Sequence, residues 1–365
     1  MGELQIEVAT EADDERLRAL CREVFMPGDL ELSFQREPNF FHALGVEGSE
    51  GEVLIARDGE RAVGVATRAS RERFVNGERR HVSYLSMLRV APDYRRRGLT
   101  RRGFLEIRRQ LERREESFAI STIICDNKLA RVTLERKNPE MPLFAPREKI
   151  CTIAAPTWHR RGVNGIEVRT ARDGEEGAIA ALLQEVYRRR QFAPVWSEES
   201  LRSESATRGL SIDDFLVVED GGELVGVAAV WDQGAFKQTV VRGYGTPLLR
   251  YGRGAVNLLA PMLNTPLLPP PGSEFRHSFI SHLAVRDDDE AVTLALLARA
   301  HEESRRRGSS YVAIGLSERD PRLEAVQRLL RGRLYWSMLY TVAFDDSTEL
   351  DELDDRVAHL EVAAI

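Results

Sequence analysis

Residues 90–100 read VAPDYRRRGLT. The apolar run SYLSMLRV, over 83–90, ends at Ala91-Pro92, and a helical pattern opens at Leu99 with LTRRGFLEIRRQLERRE. Three arginines and a glycine thus stand at a strand-to-helix junction. A helix start leaves its first main-chain N–H groups without partners, and the helix dipole adds partial positive charge there. That combination receives phosphate. Gly98 lets the main chain approach an anion closely, and Arg95, Arg96 and Arg97 add charge. The spacing predicts a strand, a phosphate-receptive loop and a helix, with a diphosphate at the helix start.

The chain repeats itself around this stretch. IEVATEADDERLRALCREVF (6–25) is echoed by IEVRTARDGEEGAIAALLQEVY (166–187), each a short β-branched run followed by an amphipathic helix. LIARDGERAVGVAT (54–67) is echoed by LVVEDGGELVGVAA (216–229), each a hairpin around Asp58-Gly59 or Asp220-Gly221. SYLSMLRV (83–90) is echoed by SFISHLAV (278–285). The fold expected is α/β of the mixed-sheet, α+β kind, in two tandem domains, each a largely antiparallel sheet flanked by helices. The boundaries read are 1–155, a linker over 156–164, a second domain over 165–345, and an acidic then apolar tail over 346–365. The second copy carries a Gly- and Pro-rich insertion within 230–277, expected as an irregular surface loop or a cover over a neighbour.

Of the 365 residues, 30% are charged and the formal net charge is −6, which gives no global pull toward nucleic acid. The helix after Gly98 is rich in arginine, but Glu106, Glu112, Glu115 and Glu116 are interleaved, the pattern of a solvated face. The three cysteines, Cys21, Cys125 and Cys151, are widely spaced, which argues against a disulfide framework or a zinc site. No signal-peptide pattern or bilayer-length apolar run is evident. The expectation is a cytoplasmic protein with no metal, no membrane partner and no nucleic-acid partner; self-association as a homo-oligomer is left open.

The stretch LRVAPDYRRRGLT resembles motif A of the GNAT (Gcn5-related N-acetyltransferase) superfamily, R/Q-x-x-G-x-G/A after a strand ending V-x-P. Arg95, Gly98 and Thr100 fill the motif positions, Thr100 departing from the usual Gly or Ala. The order of elements in both copies is similar to that fold as well. The resemblance implies acetyl-coenzyme A as co-substrate. It implies that the main chain of Leu88, Arg89 and Val90 pairs with the pantetheine amides, and that the N–H groups of Arg96, Arg97, Gly98, Leu99 and Thr100 hold the diphosphate. Arg101 or Arg102 would reach the adenosine 3′-phosphate. Asn127 matches an Asn that opens the next helix near the pantetheine, with Ala130 the small residue after it.

The resemblance implies transfer of the acetyl group to an amine of a small molecule or peptide, by direct attack. Amine acetylation needs a base for the ammonium and a proton for the departing thiolate. The family's tyrosine acid is replaced here by Leu134. Tyr84, four residues before the first pantetheine-pairing position, and Ser86 are the catalytic candidates; Cys125 and Asp126 are the other polar residues expected near the cleft. In the second copy the loop reads VRDDDEAVTLALL, without glycine and with Asp287, Asp288, Asp289 and Glu290 in place of the arginines. Acidic side chains there would repel a diphosphate and take up the N–H groups themselves. The second copy is therefore expected not to bind coenzyme A. A non-catalytic acyl-coenzyme A sensor and a protein-binding scaffold are the alternatives.

Overall fold

A computed structural model of the chain describes residues 4–26, 28–136, 138, 140–159, 161–162, 165–263, 267–344 and 350–365. The expected linker residues 160, 163 and 164, and residues 345–349 at the start of the tail, lie outside the described residues.

The strands are β1 (Gln5–Val8), β2 (Leu30–Gln35), β3 (Glu50–Asp58), β4 (Arg61–Val75), β5 (Glu78–Val90), β6 (Ala119–Ile124), β7 (Leu143–Pro156), β8 (Arg169–Thr170), β9 (Phe215–Asp220), β10 (Glu223–Asp232), β11 (Gln238–Tyr244), β12 (His277–Val285), β13 (Tyr311–Ser317) and β14 (Arg333–Ala343). The helices are α1 (Asp14–Glu23), α2 (His42–Glu47), α3 (Leu99–Arg113), α4 (Lys128–Leu134), α5 (Glu176–Tyr187), α6 (Glu198–Leu201), α7 (Pro247–Leu263), α8 (Glu290–Arg306) and α9 (Leu323–Leu330).

Both Asp-Gly turns form as read. Gly59 and Gly221 take the same φ of 59°, the left-handed region that hairpin turns require. Helix α3 buries Phe104, Ile107 and Leu111 at helical spacing and turns Arg101, Arg102 and Arg109 to solvent.

Among the described residues the mixed α/β fold is built on one continuous sheet of order β1-β3-β4-β5-β6-β14-β7-β13-β12-β10-β9-β8. The two repeats have exchanged their last strands. Strand β14, from the second repeat, pairs antiparallel with β6 of the first, as at Tyr340 with Ser121. Strand β7, from the first repeat, pairs antiparallel with β13 of the second, as at Ala313 with Ala154. The exchanged strands pair with each other along Arg333 to Ala343. One hydrophobic cluster accordingly draws on both repeats: Val75, Tyr84, Phe118 and Ile120 pack with Phe192, Leu339, Ala358 and Leu360.

The insertion is more regular than the sequence suggests. Gln238–Tyr244 forms β11, which pairs antiparallel with β2 of the first repeat, and Pro247–Leu263 forms a helix. Its glycines and prolines misled the reading: Pro247 opens the helix, where proline costs nothing because the N–H would be unpaired anyway. The tail from 350 onward is mostly extended, with a 3-10 turn at Val362–Ala364, and Ala358, Leu360, Ala363 and Ala364 are buried.

Candidate active site

Strands β5 and β6 are parallel neighbours only over Ser83–Leu85 against Ala119–Ser121. Beyond Leu85 they part. The cause lies on the other side of β5, where the register against β4 slips: Val65 faces Arg89, yet Thr67 faces Ser86. Two residues, Met87 and Leu88, stand opposite Ala66, and Met87 takes a φ of 56°. This bulge turns the strand away from β6. It leaves the β6-facing main chain of Leu88, Arg89 and Val90 without a strand partner.

A cavity of about 490 Å³ fills the wedge. Thr100, Gly103, Phe104 and Ile107 of α3 and Asn127, Ala130 and Leu134 around α4 form one wall. Asn127 caps α4, its Oδ1 accepting from the Ala130 N–H at 3.1 Å. Leu134 is buried in the wall where the sequence lacks the expected tyrosine.

The arginine loop leads into that wall. Arg96 and Gly98 take positive φ of 63° and 73°, and no described hydrogen bond satisfies the main-chain N–H of Arg96, Arg97, Gly98, Leu99 or Thr100. Five N–H groups thus stand without an internal acceptor at the start of a fifteen-residue helix, a nest of the kind that can receive an anion. Arg95, Arg96 and Arg97 are exposed, and the Arg97 guanidinium lies 4.5 Å from the Tyr94 ring centroid. Arg101 is ion-paired to Glu140, and Arg102 Nη2 donates to the Leu4 carbonyl at 2.8 Å.

Of the catalytic candidates, both line the cavity. The Tyr84 hydroxyl is committed to Thr122 Oγ1 at 2.6 Å, and burial pushes its pKa to about 12. That direction is away from a base at neutral pH. Ser86 is differently placed. Its Oγ donates to Glu47 Oε2 at 2.9 Å and lies 2.5 Å from Thr67 Oγ1. Glu47 is wholly buried, lines the cavity and is ion-paired to Arg36. Sequence reasoning missed it. Glu47 ends α2 within a featureless HALGVEGSE, and only the fold brings it to Ser86. Cys125 and Asp126 are not part of the cavity wall.

The opposite wall comes from both repeats. Phe34 and Gln35 end β2 and Arg36 follows it, while Gln233, Lys237, Gln238 and Thr239 come from the insertion, with His277, Phe279 and Ile365 also in the wall. Lys237 Nζ donates to the Ile365 carbonyl oxygen at 2.7 Å, and burial pulls its pKa down to about 8.

The second repeat carries the same wedge. Strands β12 and β13 are parallel neighbours only over His277–Phe279 against Tyr311–Ala313. The register of β10 slips between Val227 and Ala229, and His282 takes a φ of 52°. The loop after it is filled by its own acid. Arg190 Nη2 holds both oxygens of Asp288 at 2.6 Å, Arg322 Nη1 lies 3.3 Å from Asp288, and Asp289 Oδ1 accepts from the Val292 N–H at 2.9 Å. Carboxylates here take the place that the nest of the first repeat leaves open. His282 is buried against Trp196 and Trp231.

Among the described residues no group of His, Cys, Asp and Glu could hold a metal ion, and no helix is long and apolar enough to cross a membrane.

Residues 5–122 match the acetyltransferase (GNAT) domain family. No curated protein matches the chain. Its fold is similar to a GCN5-related N-acetyltransferase from Sphaerobacter thermophilus, at 16% identity, 97% of this chain, 98% of that one and a TM-score of 0.57. It is similar also to Saccharomyces cerevisiae N-myristoyltransferase with bound myristoyl-CoA, at 11% identity, 99% of this chain, 86% of that one and a TM-score of 0.65. A probable N-acyltransferase from Enterococcus faecalis gives 9% identity, 94% of this chain, 72% of that one and a TM-score of 0.52. At such identities the likeness is one of fold. The matched segment holds β1 to β5, the bulge and the arginine loop, and the chain as a whole shares the fold of these solved structures.

Proposed function

We propose that the protein is an acyl-coenzyme A-dependent N-acyltransferase that uses acetyl-coenzyme A in the wedge of its first repeat and acetylates an amine of a small molecule or peptide. One observation carries this reading: the unsatisfied N–H nest over 96–100 opens onto the same cavity as the bulged, half-unpaired strand β5. The nest fits a diphosphate, and the free edge of Leu88 to Val90 fits an extended amide chain. Coenzyme A supplies the activated thioester. The wall formed by Phe34, Gln35, Gln238 and Phe279 faces the amine.

Glu47 is the base in this reading. Arg36 is ion-paired to its buried carboxylate, and Ser86 Oγ bridges it to the cavity. A substrate ammonium gives a proton to Ser86 as Ser86 passes its own to Glu47. The freed amine attacks the thioester carbon; the C–N bond forms, the C–S bond breaks, the new amide nitrogen sheds its second proton to water, and the leaving thiolate takes a proton from water in turn.

Leu134 favours a second reading, a sensor that binds acyl-coenzyme A without turnover. Calorimetric titration with acetyl-coenzyme A followed by thiol release against a panel of primary amines separates them. Binding with stoichiometry one and amine-dependent thiol release supports the enzyme. Binding alone supports the sensor, and no binding ends both.

A further inference from the structure

The wedge of the second repeat is occupied by the chain itself. Residues 357–365 run past it, and Glu361 and Val362 enter it. Gln191 N–H donates to the Val357 carbonyl at 3.0 Å, His359 N–H donates to the Gln191 carbonyl at 2.9 Å, and Ala358 N–H donates to Glu148 Oε2 at 3.2 Å. The His359 ring lies 4.4 Å from that of Tyr187. Glu361, 5% exposed, places Oε2 at 2.8 Å from the main-chain N of His282, the bulge residue. Val362 then covers Gly315: a Cβ added at Gly315 would meet Val362 Cγ1 at 2.3 Å. Gln233 Nε2 donates to the Ala363 carbonyl at 2.7 Å, and the segment arrives at Lys237 with Ile365.

The two repeats superpose by register. Ser83 pairs with Ala119 as Ser278 pairs with Val312, so Met87 answers to His282 and Thr122 to Gly315. Thr122 lines the cavity of the first repeat. Glu361 and Val362 therefore stand in the second wedge where the first wedge is open. Asp289, whose Oδ1 accepts from the Val292 N–H at the start of α8, stands where the first loop has its empty nest.

We propose that the second repeat works as a clamp: its coenzyme-type wedge holds residues 357–365 as an internal ligand, and thereby sets Ile365 as a wall of the cavity in the first repeat. Calling that wall the acceptor wall rests on the acyltransferase reading; the clamp itself does not. Glu361, Val362 and Gly315 are positioning residues. They act on the cavity through Ile365 and touch no substrate. The second repeat owes its use to the loss of its anion loop, since a wedge that still took coenzyme A could not hold the segment.

The test needs neither coenzyme nor acceptor. Lysines are few, and Lys149, whose side chain is exposed on the central strand β7, is an internal reference for Lys237. Brief labelling with acetic anhydride is read by peptide mass spectrometry, alongside hydrogen exchange over 357–365. Glu361→Ala, which removes the acceptor for the His282 N–H, should raise Lys237 labelling relative to Lys149 at least fivefold and speed exchange over 357–365 at least tenfold. Glu361→Gln keeps a carbonyl acceptor and should neither raise Lys237 labelling nor speed exchange relative to wild type. Gly315→Ala is the second variant, in case Glu361→Ala fails to fold. It should release the segment from the opposite wall with the same labelling change. Unchanged labelling and exchange in a folded Glu361→Ala or Gly315→Ala protein would overturn the clamp. Acetyl-coenzyme A titration of the same variants reads the acyltransferase proposal separately: affinity should stay within threefold of wild type, and its absence in wild type would defeat that proposal while leaving the labelling result standing.

Discussion

Met87 and His282 are one residue met twice. Each is the left-handed member of a bulge on the long strand of its repeat, with φ of 56° and 52°, opposite a slip between Val65 and Thr67 or between Val227 and Ala229. The backbone kept the wedge in both repeats, while the side chains around it diverged. Met87 borders a cavity, whereas His282 is packed among Trp196, Trp231 and Phe215 with Glu361 on its N–H.

Gly98→Asp should abolish measurable acetyl-coenzyme A binding in calorimetry. A Cβ at Gly98 meets nothing within 4 Å, so the loss would come from the carboxylate in front of the nest and from the left-handed φ of 73°. Gly98→Asn shares the backbone demand without the charge and should weaken binding by roughly tenfold or less, since Asn tolerates that region. Equal effects of Asp and Asn would remove charge from the explanation.

Glu47→Gln should lower the rate of amine-dependent thiol release by about 10²–10⁴-fold, the usual contribution of a general base. Acetyl-coenzyme A affinity should hardly change. Ser86→Ala, which cuts the bridge to the cavity, should fall in the same direction and be non-additive with Glu47→Gln. A Glu47→Gln enzyme of wild-type rate would move the base elsewhere.

Tyr84→Phe should leave turnover within about threefold. It removes one buried hydrogen bond, to Thr122, and should cost about 1 kcal/mol in urea unfolding. A hundredfold loss of turnover with stability intact would instead put the phenol into the chemistry.

Two groups on residues 357–365 oppose each other in pH. Burial raises the Glu361 carboxyl from 4.5 to about 7, so the folded chain keeps a proton that the unfolded chain has released. Stability from this group falls as pH rises from about 4.5 to about 7. His359 goes the other way. Burial lowers it from 6.5 to about 3, so the unfolded chain binds the extra proton and stability falls as pH drops through that window. Glu361→Gln should therefore gain on the order of 3 kcal/mol over wild type at pH 8 and little at pH 4. Thermal melts at both values check it, and equal shifts at the two would show that Glu361 is not held protonated by the fold.

Asp288→Ala should not create a second site for acetyl-coenzyme A, because Glu361 and Val362 still fill the wedge; stoichiometry in calorimetry should stay at one. It takes one carboxylate from Arg190 and Arg322, which keep Asp320 at 3.8 and 2.7 Å, and should cost about 1 kcal/mol, less than a fully buried pair because Asp288 keeps a third of its side-chain surface. Stoichiometry of two would show that the acid loop alone had closed the site.

Much of this molecule could be read from its letters because the decisive features are local. The arginine loop, the Asp-Gly turns and the echo of 83–90 in 278–285 depend on neighbours in sequence. What escaped depends on partners far along the chain. Nothing in LFAPREKICTIAAP says that it will pair with Tyr311–Ser317 rather than with its own repeat, since a strand's alternation fixes its faces and not its neighbour. Glu47 has no motif around it, and its meaning comes from Arg36, Thr67 and Ser86. The insertion hid β11 and α7 because glycine and proline counts report flexibility of composition, not the pairing that β2 provides.

The exchanged strands set a schedule for synthesis. Strand β6 is complete at residue 124, but its neighbour β14 begins only at residue 333. At ribosomal speed, about 5–20 residues per second, that edge stays bare for roughly 10–40 s. During that interval a nascent first half offers an open template to any passing strand. The sheet can therefore close only after residue 343 has been made, when β14 takes its place between β6 and β7.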